Sequence, residues 1–166
     1  FITNKLSNKG KGVNYGIDIT FERYMSDGYY YMFTGSLFDS RYKAGDNKWR
    51  NTRYNRNFVF NVLAGKEWMV GRSKQNMFNA NIRLSYQGGD RYSPINLDAS
   101  QKEEDAIYDE NKAFSKQLSP AFLLHFNVSY KINKKSLSHE FAIKVLNATS
   151  YKDYQGHRYN FKTHLV

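Results

Sequence analysis

The chain has 166 residues, enough for one domain with a sizeable core, and it contains no cysteine, which excludes a disulfide framework, thiolate metal sites and thiol nucleophiles. Aromatic residues make up 17%, with 14 Tyr and 12 Phe, a composition rich in strand formers that have one apolar and one wet end. A net charge of +10 invites a polyanion as partner, but its bases sit mainly in Asn- and Gly-rich connections: Lys5, Lys9 and Lys11, the run from Lys43 to Arg56, Arg72 with Lys74, and Lys134 with Lys135.

From Val13 the side chains alternate, Val13, Tyr15, Ile17, Ile19 and Phe21 against Asn14, Gly16, Asp18, Thr20 and Glu22. This period of two predicts a strand over 13–24 with one apolar face. Ser26, Asp27 and Gly28 form a turn signal, after which Tyr29, Tyr31, Phe33, Gly35 and Leu37 share one parity, so a second strand over 29–42 completes a hairpin. A third strand, 57–70, carries Phe58, Phe60, Val62, Ala64, Trp68 and Val70 on one side. The fourth, 77–88, sets Phe78, Ala80, Ile82, Leu84 and Tyr86 against Asn79, Asn81, Arg83, Ser85 and Gln87. The fifth, 121–132, sets Phe122, Leu124, Phe126, Val128, Tyr130 and Ile132 against Leu123, His125, Asn127, Ser129 and Lys131. In the sixth, 137–149, Phe141, Ile143 and Val145 oppose Glu140, Ala142, Lys144 and Leu146. The expected fold is all-β, an antiparallel meander of about six to seven long strands over 1–166, with Gly88 and Gly89 ending the fourth strand through positive φ.

Connections alternate as the side chains do. Those at 25–28, 71–76 and 133–136 are short, and those at 43–56 and 89–120 are long. Globular strands have a mode near 5–6 residues, whereas these match the roughly 9–11 residues of a tilted membrane strand. Short turns on one side and long loops on the other, with strands apolar outside and polar inside, define a transmembrane β-barrel. Tyr29, Tyr31, Trp68, Phe78 and Tyr130 near the short turns, and Tyr15, Phe58, Tyr86 and Phe122 near the long loops, would then be its two aromatic girdles. A soluble β-sandwich or small barrel with the apolar face as its own core uses the same alternation and is the competing reading.

The stretches 8–18 (NKGKGVNYGID), 30–40 (YYMFTGSLFDS), 49–52 (WRNT), 60–67 (FNVLAGKE), 88–95 (GGDRYSPI) and 147–149 (NAT), in this order and spacing, resemble the last third of the barrel in Bacteroidetes TonB-dependent receptors. The resemblance implies the outer membrane of a Gram-negative bacterium and a nutrient ligand: a siderophore, haem, cobalamin, glycan or peptide. It also implies contact with outer-membrane lipid and lipopolysaccharide, and coupling to the TonB complex through a part of the protein absent from this chain. The chain begins at Phe1, lacks a plug domain and does not end in a terminal aromatic strand, so it is expected to be a fragment. Fewer strands than the eight of the smallest single-chain outer-membrane barrels would leave it to self-associate, stack into a sandwich or curl into a small barrel.

Two groups of residues are candidates for binding. Lys48, Trp49, Arg50, Arg53, Tyr54 and Arg56 interleave bases with aromatics, a mix that can clasp an anionic ligand or a lipopolysaccharide phosphate, or simply form a solvated loop. Nucleic acid is not expected as a partner. Asn79, Asn81, Arg83, Gln87, His125, Asn127 and Lys131 fall on the inward parity and are expected to line a hydrated lumen. The acidic residues Glu103, Glu104, Asp105, Asp109 and Glu110 lack the Asp-x-Asp-x-Asp-Gly order of a calcium loop, and His125, His139, His157 and His164 lack zinc spacing, so no metal or cofactor is expected. A helical turn is expected around 101–106 of the long loop, whose length points to a functional lid. No Gly-x-Ser-x-Gly or catalytic triad spacing is present, and no enzyme is expected.

Overall fold

The computed structural model describes residues 10–153 and Asn160. Lys5, Lys9, His157 and His164 lie outside the described residues. The chain is an antiparallel meander built from β1 (Lys11–Ser26), β2 (Tyr29–Lys43), β4 (Phe58–Val70), β5 (Asn76–Gln87), β8 (Ala121–Asn133) and β9 (Ser138–Val145), paired in that order. A short β3 (Trp49–Asn51) adds to the end of β2, and β6 (Arg91–Tyr92) pairs with β7 (Lys116–Gln117) in a separate two-stranded ladder. Among the described residues β1 and β9 do not meet, so the sheet is not closed.

Register follows from the side-chain pattern. Phe21 opposes Phe33, Phe33 opposes Val62, Val62 opposes Leu84, and Leu84 opposes Leu124. A slip of one residue on any strand would move its whole apolar set to the other face. The first hairpin turns through Asp27 (φ 54°) and Gly28 (φ 79°), the two positive values that match the twist of the flanking strands. Gly28 also admits β4, because its carbonyl accepts from Glu67 N at 2.6 Å and a Cβ there would strike the Glu67 carbonyl.

Three expectations are corrected. The last strand ends at Val145 rather than 149, because Asn147 turns into the left-handed region (φ 52°) and its side chain accepts from Tyr151 N at 2.9 Å. The helical segment is α1 (Leu97–Glu103), earlier than 101–106, started by the Asn96 side chain accepting from Ala99 N and stopped at Glu104 (φ 51°). Gly88 and Gly89 do not take positive φ; they allow backbones to touch, since a Cβ would collide with the Arg56 carbonyl at Gly88 and with the Leu118 carbonyl at Gly89.

Among the described residues no second layer covers the sheet. The elements in substantial contact are all ladder neighbours, and among the described residues Ala121 is the only buried apolar side chain. Ile17 is 69% exposed and Ile143 67%, at opposite ends of the strand order. Burying one such side chain is worth about 1.5–3 kcal/mol, so the apolar face is a large unmet demand for an apolar cover. The sandwich arrangement is therefore not the one adopted.

Candidate functional site

The apolar face is banded. Trp68 opposes Phe78, Phe78 opposes Tyr130, and Tyr130 opposes Phe141, giving one aromatic row across four strands near the short turns. Phe60, Tyr86 and Phe122 form a second row near the long loops, with Phe58 beside Tyr86 at 5.1 Å between ring centroids. Eight residues separate Phe60 from Trp68, Phe78 from Tyr86 and Phe122 from Tyr130, roughly 27 Å along the strands. In a barrel whose strands tilt by about 40° this spacing would correspond to about 20 Å between the rows, near the roughly 25 Å apolar band of such proteins. The same interval separates Tyr29 from Leu37 on β2 and Tyr15 from Arg23 on β1. Aliphatic side chains fill the space between rows, and the small Ala64 and Ala80 leave a hollow of about 600 Å³ bordered by Tyr31, Ile82 and Phe126. Lys66 and Arg23 are cations on this face among the described residues; the Lys66 ammonium reaches the Trp68 ring at 5.4 Å and the Arg23 guanidinium lies over the Tyr29 ring at 4.1 Å, both toward the short-turn edge.

The opposite face is polar and interlocked. Tyr30 Oη on β2 donates to Asn81 Oδ1 on β5 at 2.7 Å, crossing β4 at Gly65, where any Cβ would overlap both the Tyr30 ring and that oxygen. Asn81 donates onward to Asn79, and Asn79 Nδ2 donates to Glu67 Oε1 at 3.0 Å. One layer further, Ser85 Oγ donates to Asn61 Oδ1 at 2.7 Å and Asn61 Nδ2 to Thr34 Oγ1 at 3.2 Å. All seven predicted lumen residues lie on this face. The register sets Asn79 beside Ser129, Asn81 beside Asn127, Arg83 beside His125, Gln87 beside Ala121 and Lys131 beside Met77. His125 Nδ1 accepts from Asn147 N at 3.3 Å, which leaves its proton on Nε2. Asn127 Oδ1 is buried without a hydrogen-bond partner.

Of the loop residues Lys48, Trp49, Arg50, Arg53, Tyr54 and Arg56, Arg50 and Arg56 take different acidic partners. Arg50 donates through both terminal nitrogens to Asp46, and its Nε donates to the Glu110 carbonyl at 3.2 Å, so it holds the long loop. These hydrogen bonds, with the Lys48 N–H, hold the Asp46 carboxyl down at about 2. Arg56 donates to Asp90 at 2.6 Å and to Gln87 at 2.9 Å. Trp49 and Tyr54 stay exposed, each beside a cation, Lys43 at 5.7 Å and Arg53 at 5.6 Å.

Sequence reasoning missed the residue that binds these loops together. Asn55 is fully buried; its Nδ2 donates to Asp39 at 2.7 Å and to Asn51 at 2.9 Å, and its carbonyl accepts from Arg91 Nε at 2.8 Å. Arg91 donates also to Asn57 Oδ1 at 2.8 Å, and burial lowers its guanidinium below the ordinary arginine value. The long loop is thus docked on the loop between β2 and β4. Among the described residues no three acidic or histidine side chains converge to hold a metal.

No family model, curated protein or solved structure matches this chain.

Proposed function

We propose that this chain forms part of the wall of an outer-membrane β-barrel that imports a nutrient, as in the TonB-dependent receptors that its stretches 30–40, 60–67 and 88–95 resemble. The observation that carries the reading is the apolar face, which six register-matched strands leave uncovered between two aromatic rows. Soluble monomers seldom expose apolar patches beyond a few hundred Å², whereas bilayer hydrocarbon covers such a face and its interfaces favour Trp and Tyr. The polar face then lines a hydrated lumen, where the amides, Arg83, His125 and Lys131 meet solute rather than catalyse. Loops 44–57 and 88–120 lie outside the cell, where a small-molecule, glycan or peptide ligand arrives. Energy coupling through TonB acts on parts of the protein outside this chain.

Fractionating cells that produce the protein containing this chain tests the reading. It is expected in the outer membrane, with heat-dependent electrophoretic mobility, and uptake of its ligand is expected to stop when the energy-coupling partner is deleted. Recovery as a soluble protein that binds polyanions with a steep salt dependence would replace this reading with a basic β-module.

A further inference from the structure

The register places an unusual group of charges just beyond the apolar band. Lys11 opposes Lys43 directly, and Lys43 opposes Trp49 on its other side. Two residues nearer the band, Val13 opposes Arg41, and next to them Tyr15 opposes Asp39. These positions share the parity of Ile17 and Phe33, so the cations stand on the apolar face, above Tyr15. Like charges directly opposite across two strands weaken the pairing. Asp39, on the same face, is engaged by Arg41 at 2.7 Å, by Tyr15 Oη at 3.0 Å and by Asn55, and Asp46, in the connection between β2 and β3, is neutralised by Arg50. Lys43 is held over the Trp49 ring, and among the described residues Lys11 has no hydrogen-bond or ion-pair partner. Lys11, Arg41 and Lys43 against Asp39 leave a local charge of about +2 on a surface that, under the membrane reading, meets the outer leaflet's headgroups.

We infer that Lys11, Arg41 and Lys43, flanked by Trp49, form a binding site for the phosphate monoester headgroup of an outer-leaflet glycolipid. The inference rests on the membrane reading and adds a specific ligand to it. Charge selects the monoester, which carries about −1.5 to −2 at neutral pH and matches the patch; a phosphodiester lipid carries about −1 and leaves one lysine uncompensated. Trp49 packs at the sugar and acyl boundary, as interfacial indoles do. The phosphate between Lys11 and Lys43 removes the repulsion that the bare strand pair carries.

The experiment uses the full chain in detergent micelles, with native mass spectrometry counting bound lipid A, its dephosphorylated form, and phosphatidylglycerol. Lipid A is expected to bind at least about 10-fold more tightly than the other two, and the K11Q/K43Q variant to lose about 30-fold of that affinity, at roughly one tenfold step or less per lysine. A control variant, K134Q/K135Q, removes the same charge from the short turn and is expected to keep full binding. Far-UV circular dichroism verifies that both variants retain strand content. Equal binding of dephosphorylated lipid A, or equal loss in the two variants, would overturn the headgroup site while leaving the membrane reading intact. Failure of the unaltered chain to associate with micelles at all would overturn both.

Discussion

Leu84 and Ser85 are neighbours on β5, yet they belong to surfaces built on different principles. On the face of Leu84, contacts are between rings and branched aliphatics, and the register alone aligns them. On the face of Ser85, hydroxyls and amides pass hydrogen bonds from strand to strand, through Thr34, Asn61 and Ser85 and through Tyr30, Asn81 and Asn79. A soluble two-layer protein buries its apolar face and wets its polar one. Here the side-chain hydrogen bonds that pass from strand to strand are concentrated on the polar face, while ring and aliphatic packing dominates the apolar one, an arrangement suited to hydrocarbon outside and water inside.

Charge placed on either face separates the two most strongly. In vesicles, with stability followed by urea titration, Leu84→Arg is expected to cost about 2–4 kcal/mol at the middle of the band, and Ser85→Arg much less; equal costs would abolish the distinction between faces. Next in size is Gly65→Ala, where the new methyl meets the Tyr30 ring and Asn81 together; overpacking of this kind costs about 2 kcal/mol. Tyr30→Ala in the same background removes the obstacle, so the double mutant is expected to recover part of the loss. At the loops, Asn55→Ala strips Asp39 and the Asn51 side chain of a buried donor and is expected to cost about 1.5 kcal/mol, seen as faster proteolysis within 88–120.

The smallest effect is acid opening of the Asp46–Arg50 clasp. Its carboxyl titrates at about 2 in the fold, below the roughly 3.9 of a free aspartate. The clasp's contribution is therefore complete above about pH 4 and is lost as pH falls through about 2. Trp49 fluorescence in a Trp68→Phe background should report this transition, and Asp46→Asn should remove it.

The six long strands were legible because alternation is a local property, carried in full by residues such as 58–70 and 77–87. That Asn79, Asn81, Arg83, Gln87, His125, Asn127 and Lys131 share the polar face followed from the same rule. The loops were not legible in this way. Arg50 and Arg56 read as ligand contacts because bases beside aromatics look available, yet in the fold each is paired with an acid. Asp46 sits one helical turn away in sequence, a signal present but easily passed over, whereas Asp90 comes from beyond β5. β3, β6 and β7 are two or three residues long and exist because loops dock, so no periodicity announces them. Asn55 is an ordinary loop amide in sequence, and its burial depends on Asp39 and Arg91 arriving from opposite directions.

The pairing order has a consequence for how such a sheet grows over evolutionary time. Each short turn joins two strands that are already partners, so β1–β2, β4–β5 and β8–β9 are self-contained units of inheritance. Duplicating or deleting one of them shifts no register in its neighbours and keeps every long loop on the same side. Variation between lineages is therefore expected in steps of whole hairpins and in the lengths of segments 44–57 and 88–120, while the spacing of eight residues between aromatic rows stays fixed.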